Sequence, residues 1–370
     1  MKKFAKIAAI GAAAALTLAG CGTAPDETPS KSPEATSTDS AEPTPTDKVD
    51  FLGCMVSDFG GFDDKSFNET SYNGLKRAET ELGITMKVAE STDASDYPVN
   101  INAMVQEGCD IIVNVGFGLA DDTLDAAIKN PDTNFALVDS GVSEPQDNVK
   151  ALLFNTQEAA FLAGYVAAGV TKTGTVATFG GMAFPSVTIF MDGFVDGVAA
   201  YNEANGTDVK AIGWDKETQK GSMTETFDEI GAGKTMSEDL INQGADIIMP
   251  VAGPVGAGAL AAASEKEGIY VIGVDSDFFV EHPQYQDYVL TSVMKAMDLA
   301  VFETVQSAMK GEFSAETYVG TLANGGVALA EFHNLDSLVS DDVKKDVEDL
   351  KAKIISGELV IESPSATEVN

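Results

Sequence analysis

The chain has 370 residues and carries 58 Asp and Glu against 23 Lys and Arg, for a formal charge of −35. That excess of negative charge excludes nucleic acid or an anionic lipid surface as a partner through any broad electrostatic face. Of the two histidines, neither His282 nor His333 has a cysteine or second histidine nearby, so the spacing supports neither a metal centre nor a histidine-based triad, and no cofactor is implied.

Residues 1–20 open with Lys2, Lys3 and Lys6, followed by an apolar run from Ile7 to Leu18, the build of a secretory signal. The run is too short to span a bilayer. It ends in Leu18-Ala19-Gly20-Cys21, which resembles a bacterial lipobox. The resemblance implies cleavage before Cys21, a lipid (diacylglycerol and palmitate) on its thiol, and anchoring to the extracytoplasmic face of the cell membrane. Residues 21–48 are almost all Thr, Ser, Pro, Glu, Asp, Ala and Lys and cannot bury enough apolar surface to offset chain entropy, so they read as a flexible linker.

From Phe51 onward, short apolar runs alternate with amphipathic or alanine-rich stretches. The strand candidates are Phe51–Ser57, Ile84–Ala89, Asp110–Val115, Phe135–Val138, Thr175–Phe179, Val209–Trp214, Ile247–Val251, Tyr270–Val274 and Tyr288–Ser292. Between them lie helix candidates such as Tyr72–Leu82, Asp121–Lys129, Pro185–Asn202, Met236–Gln243 and Gly256–Glu267. This alternation predicts an α/β protein with parallel sheets covered on both faces. It occurs on both sides of Ala151–Asn155, which predicts two doubly wound lobes joined by a hinge. The expected boundaries are 49–153 for lobe 1 with a return at about 276–310, 154–275 for lobe 2 with further elements at about 311–361, and a tail over 362–370. The most apolar helix candidate, Ala159–Val170, is short and broken by Gly164 and Gly169, so it is not a membrane span. Cys54 and Cys109 either pair in an oxidising compartment or remain as buried thiols; sequence leaves both open.

Several strand candidates end in polar or glycine-rich loops, among them Asp58-Phe59-Gly60-Gly61, Gly116-Phe117-Gly118, Asp139-Ser140-Gly141, Gly253-Pro254 and Asp275-Ser276-Asp277. Ligands of open parallel sheets bind beyond the carboxyl ends of the strands, so two such sheets predict a site in the cleft between them. The most informative stretch is Ser57-Asp58-Phe59-Gly60-Gly61-Phe62-Asp63-Asp64-Lys65-Ser66-Phe67-Asn68. It turns through paired glycines into a helix that Ser66 can cap. Phe67 can stack on a planar base, Asn68 offers a donor and an acceptor, and Asp58 can accept from sugar hydroxyls.

With these residues the chain resembles the basic membrane protein family, nucleoside-binding lipoproteins of bacterial ABC transporters with a type I periplasmic-binding-protein fold. The resemblance runs from about Phe51 to Ile361. Besides the block just quoted it includes Val115-Gly116-Phe117, Phe154 to Gly164, Phe190-Met191-Asp192-Gly193-Phe194, Ile272 to Asp277 and Ser292-Val293-Met294-Lys295. It implies a nucleoside, with purines favoured, held between the lobes and handed to an ABC transporter permease. The matching positions are Phe67 and Phe227 as stacking rings, Asn68 and Asp139 on the base, and Asp58, Gly253, Asp275 and Lys295 around the ribose. Trp214 and Phe190 are alternatives for the second ring. Pro254 departs from the paired glycines common in the family and removes a backbone donor.

Other classes are weaker. Asp58-Phe59-Gly60 lacks the remaining kinase motifs, and Gly116-x-Gly118-x-x-Asp121 lacks the third glycine of a dinucleotide fingerprint. A surface nucleoside hydrolase would need Asp58, Asp63 and Asp64 to form a cation site. A sugar or autoinducer binder of the same fold remains the alternative to a nucleoside binder, and no enzymatic chemistry is required by the sequence.

Overall fold

The computed structural model describes residues 48–366. The expected signal peptide, Cys21 and the linker up to Asp47 lie outside the described residues. Among the described residues no helix is long and apolar enough to cross a membrane.

The strands in chain order are β1 (Leu52–Val56), β2 (Thr85–Ala89), β3 (Ile111–Val115), β4 (Asn134–Val138), β5 (Val149–Phe154), β6 (Thr175–Gly180), β7 (Lys210–Ile212), β8 (Trp214–Asp215), β9 (Lys220–Gly221), β10 (Ile247–Val251), β11 (Tyr270–Asp275), β12 (Val289–Lys295), β13 (Tyr318–Gly320) and β14 (Val327–Leu329). The helices are α1 (Phe67–Leu82), α2 (Asp96–Gln106), α3 (Ala120–Lys129), α4 (Thr156–Val170), α5 (Pro185–Asn205), α6 (Ile230–Asn242), α7 (Ala257–Ser264), α8 (Phe278–Glu281), α9 (Met297–Met309) and α10 (Asp341–Ser356).

Two six-stranded sheets result. The first runs β2-β1-β3-β4-β5-β13 and is parallel throughout. The second runs β7-β6-β10-β11-β12-β14, parallel except for its antiparallel edge strand β14. Central strands such as β3, IIVNV, and β10, IIMPV, are buried along their whole length, as helices on both faces require. Each sheet with its helices forms one lobe of an α/β, doubly wound fold.

The chain crosses between lobes at Asn155, at Ala296 and between β13 and β14. The return to lobe 1 differs from the expected 276–310. β12 pairs with β11 in the second sheet, so the chain re-enters lobe 1 only with α9 and leaves after β13. The reason is that the apolar run before Lys295 adds to the second sheet's hydrogen-bond ladder, while α9 packs on α1. Strands β5, β9, β13 and β14 escaped the strand pattern: β9, β13 and β14 have only two or three residues, too few to show a period, and β5 abuts the crossing at Asn155.

In lobe 2, α4 and α5 pack closely because glycines remove side chains at the crossing. A Cβ at Gly164 would stand 2.0 Å from the Phe194 carbonyl oxygen. In lobe 1, Cys54 of β1 is disulfide-bonded to Cys109, with Cα atoms 6.0 Å apart.

Candidate functional site

The carboxyl ends of both sheets face one another across a cavity. Its walls include all eight ligand-binding positions expected from sequence: Asp58, Phe67, Asn68, Asp139, Phe227, Gly253, Asp275 and Lys295.

The lobe 1 wall is shaped by the turn between β1 and α1. Ser66 was expected to cap α1, but Asp64 takes that role. Its Oδ1 accepts from the backbone N–H groups of Ser66 (3.0 Å) and Glu69 (2.9 Å), and Oδ2 accepts from Asn68 N–H (2.9 Å). A carboxylate two residues earlier reaches the free amides of the first turn and complements the helix dipole. Ser66 is thereby released, and its hydroxyl donates to Asp275 Oδ2 of lobe 2 at 3.0 Å.

Behind Phe67, Asn68 donates through Nδ2 to Asp58 Oδ1 and to the Phe59 carbonyl, both at 2.9 Å. Its Oδ1 is buried and has no hydrogen-bond partner among the described residues. Both amide protons being spent, Asn68, a residue of the cavity wall, has only an acceptor left to offer. The other side of Asp58 lies against Gly116, whose φ is +113°; a Cβ there would stand 2.2 Å from Asp58 Oδ2. Desolvation pushes the Asp58 carboxyl up to about 8, against the opposing pull of the Asn68 hydrogen bond. The same burial raises Asp64 to about 6, although its backbone hydrogen bonds oppose the shift. At neutral pH Asp58 thus holds a proton and can donate as well as accept.

At the other end, Lys295 closes β12 and inserts its ammonium between two carboxylates. It is ion-paired with Asp139 of lobe 1 and with Asp275 Oδ1 at 3.0 Å, and the three side chains are at most 8% exposed. Burial alone would lower the Lys295 ammonium, but the flanking carboxylates outweigh it and hold the group above its ordinary value. Asp139 and Asp275 each follow or end a strand with a left-handed backbone, φ 61° and 69°. Non-glycine residues rarely adopt that conformation, and it recurs where a site dictates the geometry. The resemblance grouped Asp139 with Asn68; the structure instead joins its carboxylate to Lys295.

The remaining walls are aromatic. Phe67 carries the Lys295 ammonium 4.8 Å from its ring centroid, and Phe190 at 5.1 Å. Phe227 also lines the cavity, its ring lying where a Cβ on Gly181 would be, 2.2 Å from Phe227 Cε1. Trp214, the other alternative, is elsewhere: it is 7% exposed and its indole N–H donates to Asp192 at 2.8 Å. Pro254 opens a short 3-10 turn after Gly253, which takes φ +52°. Asp63 is exposed and Asp64 is committed to backbone amides, so the acidic trio of the hydrolase reading does not converge.

Among the cavity residues given no binding role from sequence, two aromatics stand out. Phe117 of lobe 1 and Phe184 of lobe 2 meet across the cleft at 5.4 Å between centroids, and Phe184 reaches Phe227 at 6.0 Å. The available signals were the Gly116-Phe117-Gly118 loop and an aromatic placed just before the helix-opening Pro185.

Two lobes, three crossings and a lined cleft between the strand ends define a solute-binding protein. The chain belongs to the Bmp family, described as PnrA-like ABC transporter substrate-binding proteins, whose model matches residues 51–365. It is thus an ABC transporter substrate-binding protein and not an enzyme. Over 334 residues it is 31% identical to the ABC transporter nucleoside-binding protein BmpA of Lactococcus lactis, covering 85% of this chain and 90% of that protein. It is likewise 31% identical to basic membrane protein A of Borreliella burgdorferi, covering 82% and 86% respectively. An ABC transporter solute-binding protein of Aeropyrum pernix has a similar structure, with a TM-score of 0.77, 28% identity, and coverage of 85% of this chain and 94% of that one.

Proposed function

We propose that this protein captures nucleosides, purine nucleosides above all, between its lobes at the extracytoplasmic face of the membrane and delivers them to an ABC transporter permease. The observation that carries this reading is the unpartnered acceptor Asn68 Oδ1 beside the ring of Phe67. A planar base that stacks on the ring and donates an N–H meets both. Phe227, with Phe184 at its side, bounds the opposite face of the base. Asp275 and Lys295, with Asp139 and the Gly253 backbone, take the ribose, where carboxylates accept from hydroxyls and the ammonium donates to a remaining lone pair. Anchoring through a lipid on Cys21 is part of the same proposal.

The charge balance argues for nucleosides over nucleotides. Lys295 is the single lining cation and is already paired with Asp139 and Asp275, so a phosphate would meet two carboxylates and no free positive charge. Closure is a hinge motion in which the ligand bridges both walls only in the closed form, so its differential affinity stabilises that form.

Thermal shift and calorimetry with adenosine, guanosine, inosine, cytidine, uridine, free ribose and the 5′-monophosphates test the reading. A ligand in hundredfold excess over Kd stabilises the native state by about 2.7 kcal/mol. Nucleosides should give such shifts, with monophosphates and ribose giving far less. Ribose acting as strongly as the nucleosides would transfer the protein to the sugar binders.

A further inference from the structure

A second cavity adjoins the cleft and encloses as much space as the cleft does. The two share Phe117, Asp139 and Ser186 as a common wall. Beyond that wall the cavity runs along the hinge beside Asn155 and Thr156 and is closed by Ser365 of the C-terminal segment.

The hydrogen-bond inventory of this cavity is one-sided. Ser140 Oγ donates to the Gly141 carbonyl at 3.1 Å, Thr156 Oγ1 to the Phe154 carbonyl at 3.2 Å, and Asn155 Nδ2 to Glu158 Oε1 at 3.0 Å. Ser365 Oγ donates to Gln219 Oε1 at 3.1 Å. With those protons committed, the polar part of the wall presents lone pairs, among them Asn155 Oδ1, while Leu153, Phe154, Ile189 and Val319 line the rest with apolar surface. No lysine or arginine lines the cavity. Asp139 is the one wall residue that also belongs to the charged cluster with Lys295, so the cavity lies beside the end of the cleft assigned above to the sugar.

We infer that this cavity is a subsite for a compact substituent on the sugar of the ligand, one that carries O–H or N–H donors. The inference rests on the nucleoside reading. A phosphate-bearing substituent is excluded because the walls offer it no cation and one carboxylate, and an alkyl group is disfavoured because it would strip water from acceptors without replacing the hydrogen bonds. Phe117 and Ser186 form the partition and set how easily a substituent passes. The Ser186 hydroxyl has no hydrogen-bond partner among the described residues, so it is the one wall hydroxyl free to donate and can turn to either side.

The test compares, by calorimetry on the intact protein, adenosine or cytidine (whichever binds tighter) with derivatives bearing a 2-hydroxyethyl group on the 2′ or 5′ oxygen, a propyl group at the same positions, or a 2-hydroxyethyl group on the exocyclic nitrogen of the base. One sugar-linked hydroxyethyl derivative should bind within about threefold of the parent, with its propyl counterpart and the base-linked derivative at least tenfold weaker. Ser365→Phe, placed on the half-exposed C-terminal segment and outside the cleft lining, should fill the cavity, remove the tolerance for the hydroxyethyl derivative by at least tenfold, and leave the parent unchanged. Rejection of both sugar-linked derivatives while the parent binds overturns the subsite and leaves the nucleoside reading standing, as does an unchanged ratio in Ser365→Phe. Failure of every parent nucleoside overturns the nucleoside reading itself, and the subsite with it.

Discussion

Lys295 stands 3.0 Å from Asp275 Oδ1 while its ammonium also pairs with Asp139, so one buried cation ties the last strand-end of lobe 2 to lobe 1. Each carboxylate is tolerable in the interior because the ammonium is present. Removing one partner of a buried ion pair costs roughly 3–5 kcal/mol, since the charge left behind has no compensation. Lys295→Met should therefore lower the unfolding free energy read from urea denaturation by an amount of that order and abolish nucleoside binding. Asp139→Asn, which leaves Lys295 with Asp275, should cost clearly less. Equal losses in the two variants would remove the bridging role from Lys295.

Phe67 is half-buried on the cleft wall, under the Lys295 ammonium at 4.8 Å. Base–aromatic stacking is worth roughly 1–3 kcal/mol per ring. Phe67→Ala should weaken nucleoside affinity by about five- to 150-fold while the unliganded melting temperature changes little. If the variant unfolds, or binds as the parent does, Phe67 belongs to the scaffold and not to the site.

Gly116 holds the Asp58 carboxylate in place by lacking a side chain, and it does so at φ +113°. Gly116→Ala combines backbone strain with displacement of Asp58. Gly108, at φ +78° with nothing within 4 Å of its Cβ direction, supplies the strain alone. Both alanine variants should lose some stability, of order 1 kcal/mol. Only Gly116→Ala should also lose ligand affinity, by roughly tenfold or about 1.4 kcal/mol. A comparable affinity loss in Gly108→Ala would mean that strain, not Asp58, is responsible.

Asp58 keeps its proton up to about pH 8 in the folded chain, whereas its ordinary value is 3.8. Between those limits the folded state binds the extra proton, so stability from this group is full below about pH 4 and is lost as pH rises through about 8. Asp58→Asn removes the titration. The stability difference between Asp58→Asn and the parent, read from melting curves of unliganded protein, should therefore be smallest at about pH 4 and widen steadily to pH 8.5, in favour of the variant. Asp64, raised to about 6, acts in the same sense over a lower and narrower range. The repulsion from the overall charge of −35 is nearly common to both proteins and largely subtracts out. Parallel curves across this range would place the Asp58 proton elsewhere.

The sequence by itself determined the α/β class, the two lobes and the strand ends where a cleft would open, while Phe227, Gly253 and Lys295 entered through the family resemblance. The class, lobes and strand ends are legible because parallel strands announce themselves as apolar runs, and their carboxyl ends are marked by local signals such as Asp58-Phe59-Gly60-Gly61 and Asp275-Ser276-Asp277. What each residue touches was decided only by the tertiary structure. Ser66 reads as a helix cap until Asp275, 209 positions away, is brought to its hydroxyl. Asp139 finds Lys295 across 156 positions, and Trp214, an alternative to Phe227 as the second ring, turns inward because Asp192 offers its indole N–H an acceptor. Local preferences act over a few residues and so fix strands, turns and caps. Partners across the cleft depend on how two separately folded sheets meet, and neither spacing nor periodicity records that.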